Sequence, residues 1–265
     1  MIIDAHHHLW DPAARAYPRA ADQADPPRHG MADLPTVLGD RVRAAVLVQS
    51  VASAAETEEF LAVAEASDLV AGVVGWLDLT DPGLGDRLDR LRERPLVGLR
   101  HPARDEPDHA WLLRSDVRAG LATLAERGLT YDIVIRPSQR PAALALARLA
   151  GGAPTLVVDH LGSPWPAAGE WEPWASWIGS LARCDNVVCK LSGIDGPDLG
   201  PYVDHVLAEF GPDRVLFGSD WPVGAVDRTY GDLLDLTESL LDKCTPKEHE
   251  AVLSSTARRV YRLPD

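Results

Sequence analysis

The sequence RAAVLVQS, residues 43–50, holds five consecutive apolar residues and ends in two polar ones. A short apolar run without alternation is typical of a strand that is covered on both faces, as in a parallel sheet. Runs of this kind recur along the chain, and each ends in a polar cluster or a cluster of glycine and proline. They predict eight strands, at residues 2–8, 43–50, 72–79, 96–101, 131–136, 155–160, 187–192 and 215–220.

Segments with helical periodicity separate these runs. After residue 197 the apolar positions follow a spacing of 3.6, which predicts a helix with one face against a sheet. Thr245, Pro246 and Glu248 suit the N-cap, N1 and N3 positions of a capping box and predict the start of the last helix. Eight strands alternating with helices over 265 residues favour an α/β fold. We expect a single closed (β/α)8 barrel of the TIM type over residues 1–265.

Two long connections interrupt this rhythm. Residues 10–40 are rich in Pro, Ala and Asp, with a weak helical pattern at 32–38, and we interpret them as a loop insertion beside the active site. Residues 163–177 contain four tryptophans, which could line the same mouth or pack a helix onto the barrel.

Composition excludes several classes of function. The formal charge is −14, and a surplus of this size repels phosphate backbones and anionic lipid, so we expect no nucleic-acid and no membrane partner. No apolar stretch approaches the roughly 20 residues of a membrane span, and the amino terminus turns polar at its fourth residue, unlike a signal peptide. Three cysteines without metal-ligand spacing suit reduced thiols. We therefore expect a cytoplasmic location.

The predicted strands end in ionisable residues. Active sites of such barrels form at the carboxyl ends of the strands. Asp4, His6 and His8 alternate at period two in the first run, so we expect all three side chains on one face, towards the barrel lumen. Two imidazoles placed in this way can bind one metal ion or one oxyanion. A hydrogen-bonded polar core is the alternative interpretation.

Later strands add candidates of the same kind. His160 ends VVDH and Asp220 ends LFGSD, each directly after an apolar run; a capping or turn role is the alternative for Asp220. Substrate binding is predicted for a larger group of residues. The alternative interpretation is an ion pair at the rim for the charged members and packing for the two tryptophans. This group is Arg100, His101, Arg136, Lys190, Ser192, Trp10 and Trp221.

Five motifs together resemble a known family. They are DAHHHLWD at 4–11, VGLRH at 97–101, VVDHLGSP at 157–164, CKLSG at 189–193 and FGSDWPV at 217–223. This set is similar to the amidohydrolase superfamily, and within it to the amidohydrolase-2 group of sugar lactonases and pyrone-dicarboxylate lactonase. The resemblance implies a somewhat distorted barrel that hydrolyses a cyclic ester, usually an aldono-lactone of sugar catabolism.

The resemblance also implies roles for single residues. His6 and His8 match the strand-one histidine pair, and His160 matches the strand-six histidine. Asp220 matches the strand-eight aspartate that serves as general base. Arg100 resembles a substrate-binding arginine.

The chain departs from the metal-binding pattern of that superfamily at two strand ends. Members that hold a metal firmly place Lys, Glu or Cys after strand three or four and His after strand five, where this sequence has Arg100 and Arg136. Arginine cannot ligate a cation and repels one. We therefore expect at most one weakly held or dispensable divalent metal, zinc or manganese, on four residues, and no organic cofactor. The four are His6, His8, His160 and Asp220.

These roles predict hydrolysis of a small-molecule lactone, most simply an aldono-1,4- or 1,5-lactone. Asp220 would deprotonate the attacking water and return the proton to the leaving ring oxygen, while His6, His8 and His160 stabilise the oxyanion. Two alternatives remain open at this point. One is a metal-dependent decarboxylase of an aromatic or unsaturated carboxylic acid, and the other is a non-catalytic barrel that binds sugar acids.

Overall fold

The computed structural model describes residues 1–13, 15–17, 28–149, 153–193, 198–223 and 228–264. Its centre is an eight-stranded parallel sheet in which neighbouring strands follow chain order. The strands are β1 (Ile2–His7), β2 (Val42–Val48), β3 (Val70–Gly75), β4 (Leu96–His101), β5 (Thr130–Ile133), β6 (Leu156–Val158), β7 (Val187–Leu191) and β8 (Val215–Phe217). A parallel bridge between His7 and Trp221 joins the two ends of the sheet. The predicted (β/α)8 barrel is confirmed.

Helices follow the strands on the outside of the barrel. They are α1 (Leu34–Leu38), α2 (Ala54–Glu65), α3 (Leu84–Leu91), α4 (Ser115–Glu126), α5 (Arg140–Ala147), α6 (Trp174–Ala182), α7 (Gly200–Phe210), α8 (Tyr230–Leu240), α9 (Pro246–Glu250) and α10 (Thr256–Tyr261). The predicted capping box is present at α9, where the Thr245 side chain accepts from the backbone N–H of Glu248. Among the described residues, no helix has the length and apolar character needed to cross a membrane.

The barrel lumen is packed with apolar side chains over part of its depth. Residues Ile3, Val46 and Val188 belong to one buried cluster with Val260 and Tyr261 of α10. Tyr261 also lies beside the residues that precede β4 and β5, so α10 covers the amino-terminal end of the barrel. The carboxyl ends of the strands are therefore left to hold the polar groups.

Several predicted strands extend beyond the observed ones. His160 and Asp220 fall just after β6 and β8, and their backbones have φ values of 55° and 57°. This left-handed conformation cannot continue a strand. The sequence runs therefore end in short turns that carry the polar side chains.

The first long connection is described in part. Trp10 and His29 form an antiparallel bridge, and a short 3-10 turn at Met31–Asp33 leads into α1. Residues 14 and 18–27 of the predicted insertion lie outside the described residues. Its role as an active-site loop, like the single-domain boundary at 1–265, stays a prediction.

Candidate active site

Two histidines and one carboxylate meet where the barrel closes. His6 and His8 come from the end of β1, and Asp220 follows β8. The Nε2 atoms of His6 and His8 are 3.2 Å apart, and Asp220 Oδ1 lies 3.4 Å and 3.2 Å from them. The structure thus brings together side chains that are 212 residues apart in sequence.

Asp4 does not join this group, so the predicted common face for Asp4, His6 and His8 is wrong at Asp4. Its carboxylate instead accepts hydrogen bonds from His7, Ser219 and Tyr230. The pairing of β1 with β2 shifts register between Asp4 and His7. Such an irregularity interrupts the two-residue alternation of side chains.

The orientation of His8 leaves two acceptor atoms facing each other. His8 Nδ1 lies 2.8 Å from the carbonyl oxygen of Val48, which can only accept, so Nδ1 is the donor. Burial lowers the pKa of His8. In the neutral ring, Nε2 therefore carries a lone pair towards Asp220 Oδ1. This pair of acceptors requires a proton or a cation between them.

Asp220 is ionised at neutral pH. Burial raises the pKa of its carboxyl group, but the imidazoles of His160 and His8 beside it lower the pKa by more. The net pKa lies below the ordinary value. The carboxylate can therefore accept a proton from water.

Arg100 holds a fixed positive charge beside His6. Its Nη1 lies 3.1 Å from His6 Nε2 and donates to Asp159 Oδ2 at 3.0 Å, while Nη2 donates to the Gln49 carbonyl at 2.6 Å. Guanidinium has only donors, so His6 Nε2 is the acceptor in this contact. His6 Nδ1, 3.4 Å from Asp159 Oδ1, is then the protonated nitrogen.

Lys190 is fully buried and lies beside Asp159, the carboxylate that also contacts Arg100. Its Nζ donates to Asp132 Oδ2 at 2.6 Å and lies 2.9 Å from Asp159 Oδ1. Although burial raises the pKa of Asp159, Lys190 and His6 hold it well below its usual range. The ammonium group thus contacts protein carboxylates. The sequence had instead predicted that Lys190 binds a substrate hydroxyl.

His160 completes the group from β6. Its ring centroid is 4.9 Å from that of His6, and its Nδ1 lies 3.0 Å from Ser192 Oγ. Gly193 has φ 54°, and a Cβ there would lie 2.5 Å from His160 Nδ1. Glycine at 193 therefore allows the backbone to approach the ring. Burial lowers the pKa of His160 as well.

A cavity of about 240 Å³ opens onto His160 and Asp220. The other lining residues are Arg104, Leu161, Ser163, Pro164, Pro166, Gly193, Leu199 and Tyr202. Arg104 and Tyr202 were missed in the sequence because neither directly ends an apolar run. Of the Trp-rich connection, Ser163, Pro164 and Pro166 form the wall, whereas Trp174 and Trp177 are buried in the core.

Two other predicted substrate-binding residues, Arg136 and His101, make their described contacts outside the group of His6, His8 and Asp220. Arg136 is 65% exposed, with Nη2 3.5 Å from Asp105. His101 stacks on Trp111 and contacts Trp76 and Glu106 through its two nitrogens.

The two predicted indoles border the barrel closure. Trp10 is buried, and one face of its ring stacks on Tyr17 at 3.7 Å. Trp221 packs edge-on against His29 and Tyr230.

The lone-pair atoms at the barrel closure are placed so that they could bind a single divalent cation. His6 Nε2, His8 Nε2 and Asp220 Oδ1 are 3.2–3.4 Å apart, close to the edge of a tetrahedron with bonds of about 2.1 Å. The hydrogen bond from His8 Nδ1 to a carbonyl is the usual support for a ligating imidazole. Arg100 opposes a cation because it occupies the lone pair of His6 Nε2.

Comparisons with known proteins show which family this chain is similar to. A family model described as "Amidohydrolase" matches residues 3–263. L-fucono-1,5-lactonase of Burkholderia multivorans is 32% identical over 286 residues, covering 99% of this chain and 96% of that protein. Crystal structures of an amidohydrolase from Burkholderia multivorans superpose with a TM-score of 0.86 with bound HEPES and 0.84 with bound zinc. They are 31% and 32% identical to this chain, and all of each chain is covered.

Proposed function

This chain belongs to the amidohydrolase family, and we propose from that premise that it opens a sugar 1,5-lactone with Asp220 as the base. It is a hydrolase of the lactonase type, as its similarity to L-fucono-1,5-lactonase supports. The observation that carries the proposal is the meeting of Asp220 Oδ1 with His6 and His8 beside the cavity. At about 240 Å³ the cavity is smaller than the roughly 300–1,000 Å³ of drug-sized sites, which suits a single sugar ring.

The first step is attack of water on the lactone carbonyl carbon. Asp220 is ionised and borders the cavity, so it accepts the proton of the attacking water. A carbon–oxygen bond forms and the carbonyl becomes a tetrahedral oxyanion. When the ring C–O bond breaks, Asp220 returns the proton to the leaving ring oxygen.

Two groups can stabilise the oxyanion. Arg100 is permanently charged, is fixed by Asp159 and Gln49, and acts through its charge from behind His6, since it is not among the described residues that line the cavity. Ser192 Oγ accepts from the backbone N–H of His160 and can donate to His160 Nδ1, which leaves a proton on His160 Nε2 for the substrate. We assign Ser192 this orienting role. A well-placed donor of this kind lowers the activation free energy by roughly 2.7–4 kcal/mol.

A divalent metal, zinc or manganese, would bind His6, His8 and Asp220, with His160 beside them. When bound, such an ion polarises the carbonyl oxygen as a Lewis acid. The competition from Arg100 for His6 supports weak binding and a dispensable role.

A screen with a pH indicator tests the proposed function. Aldono-1,5-lactones, aldono-1,4-lactones and pyrone carboxylates are compared with and without a chelator, and a blank without enzyme corrects for spontaneous hydrolysis. We expect acid release to be fastest with a 1,5-lactone and to persist in chelator. A protein that releases acid from pyrone carboxylates alone would contradict the assignment. Loss of all turnover in chelator would refute the dispensable metal.

Some expectations from the sequence remain proposals. They are the cytoplasmic location, a place in carbohydrate catabolism, and the absence of nucleic-acid and membrane partners.

A further inference from the structure

We propose that Asp4 and Ser219 are positioning residues that hold Asp220 in the orientation needed for proton transfer. The inference rests on the proposed role of Asp220 as base. It assigns a function to Asp4, the first residue of the DAHHH motif. Asp4 lies outside the group formed by His6, His8 and Asp220.

Asp4 binds the segment that carries Asp220. Its Oδ1 accepts from the backbone N–H of Ser219 at 2.8 Å, and its Oδ2 accepts from Ser219 Oγ at 2.7 Å. Asp4 is fully buried, so these bonds are not exchanged with water. The same Oδ1 also accepts from the backbone N–H of His6 at 3.2 Å. One carboxylate thereby connects the end of β1 to the residue before Asp220.

Ser219 extends this connection past Asp220. Its Oγ accepts from the backbone N–H of Trp221 at 3.0 Å, so both neighbours of Asp220 are fixed. The N–H of Asp220 itself donates to the His6 carbonyl at 2.8 Å.

Asp220 needs such support because of its backbone. Its φ of 57° is a left-handed value, which costs energy for a residue other than glycine. Strained backbone of this kind persists only where surrounding contacts enforce it. If the contacts of Ser219 are lost, we expect the segment to relax and the carboxylate to move away from His6 and His8.

Tyr230 provides a matched control. Its hydroxyl donates to the same Asp4 Oδ2, at 2.9 Å, but it belongs to α8 and not to the segment that bears Asp220. Ser219→Ala and Tyr230→Phe each remove one hydroxyl donor to Asp4. Only Ser219→Ala also removes the acceptor for the Trp221 N–H.

The experiment measures kcat, KM and melting temperature for both variants on the lactone found in the screen. Each variant should lose a few degrees of melting temperature through its lost hydrogen bond. A misplacement of about 1 Å costs roughly 100-fold in rate, so we expect that loss of kcat in Ser219→Ala and less than about threefold in Tyr230→Phe, with KM nearly unchanged. Ser219→Thr keeps the hydroxyl and should recover much of the lost kcat.

Equal kcat losses in Ser219→Ala and Tyr230→Phe, or no loss in either, would overturn the inference. Asp220→Asn, measured beside them, separates this from the proposed function. If Asp220→Asn is inactive while Ser219→Ala behaves like Tyr230→Phe, the base assignment holds and the positioning role fails. If Asp220→Asn keeps full turnover, the base assignment itself is wrong.

Discussion

At the scale of single residues, one question is which positive charge stabilises the acceptors at the barrel closure. His6 Nε2 accepts a hydrogen bond from the guanidinium of Arg100, whereas His8 Nε2 and Asp220 Oδ1 face each other at 3.2 Å. A proton on His8 or a divalent ion satisfies that second pair. Arg100 therefore sets how strongly a metal can compete for the site.

Arg100→Gln should increase metal affinity. The substitution removes a positive charge 3.1 Å from His6 Nε2, a proposed metal ligand, and keeps a side chain that can donate to Asp159. Two unit charges about 4 Å apart interact by roughly 4 kcal/mol at an effective dielectric of about 20, and about 1.4 kcal/mol is tenfold. We expect zinc to bind at least roughly tenfold more tightly in titration calorimetry.

Arg104→Gln is the matched control, because Arg104 borders the cavity that opens onto Asp220 but makes no described contact with His6. Its zinc affinity should change little. An unchanged or weaker affinity in Arg100→Gln would show that the guanidinium does not compete with the metal.

The sequence predicted some of these residues and not others for a physical reason. His6, His8, His160 and Asp220 each follow an apolar run, and strand ends meet at one edge of a barrel. The depth of a side chain in the lumen depends on strand register, which the sequence does not display. The pairing of buried Lys190 with Asp132 and Asp159 could therefore not be foreseen.

At the scale of elements, the connection from β6 to α6 is fixed to the barrel although it lacks regular structure over much of its length. Arg140 of α5 is almost fully buried. It donates to Glu170 at 2.6 Å and to the Ser163 carbonyl at 2.7 Å. Its guanidinium also lies 5.5 Å from the ring centroid of Trp177. The part of the cavity wall built by Ser163 and its neighbours therefore depends on α5.

Arg140→Met should loosen this wall. Breaking a buried ion pair leaves Glu170 without its cation and costs roughly 3–5 kcal/mol, part of which is recovered if the connection opens to water. We expect a higher KM for the lactone and faster proteolytic cleavage within residues 163–173. Steady-state kinetics and limited proteolysis with mass spectrometry measure both effects.

Arg183→Met serves as the comparison, since Arg183 is exposed at the end of α6 and bonds to Ser180. It should keep the wild-type cleavage pattern and KM. Similar behaviour of the two variants would argue against an anchoring role for Arg140.

The order of elements could be predicted because each strand is a distinct apolar run followed by a helical segment. The local irregularities could not. The register shift after Asp4 and the left-handed residues at 160 and 220 lie where the chain contacts distant segments, Asp4 with Ser219 and His160 with Ser192, and the local sequence does not encode such contacts.

At the scale of the whole molecule, acid should destabilise the fold through buried histidines. Burial lowers the pKa of His29 to about 4, and His29 is held by His7 at 2.8 Å. Burial lowers the pKa values of His6, His8 and His160 as well. The His29 ring stays neutral in the folded protein at pH 6.5, whereas an exposed ring in the unfolded chain begins to take up a proton.

The sign of the effect follows from this difference in proton uptake. The unfolded state binds more protons. The contribution of the neutral ring to the free energy of unfolding is therefore fully present above pH 6.5 and is lost as the pH drops towards the folded pKa. The slope of this contribution rises from about 0.7 kcal/mol per pH unit at pH 6.5 towards a limit of about 1.4 kcal/mol per pH unit at lower pH.

His29→Gln should reduce this loss. We expect its free energy of unfolding to fall by about 1 kcal/mol less than that of the wild type between pH 6.5 and 5.5, measured by urea denaturation. His109→Gln, at an exposed position, provides the comparison and should follow the wild type. Identical pH dependence in all three proteins would contradict a neutral buried His29.

The proposed hydrolysis depends on Asp220 deprotonating the attacking water. Its most direct test is kcat of Asp220→Asn on the preferred lactone, with circular dichroism and melting temperature to confirm folding. Asn is similar in size but cannot take up the proton, so we expect the variant to stay folded and to lose more than roughly 100-fold in kcat at any pH. A folded Asp220→Asn protein with near wild-type turnover would show that Asp220 is not the base.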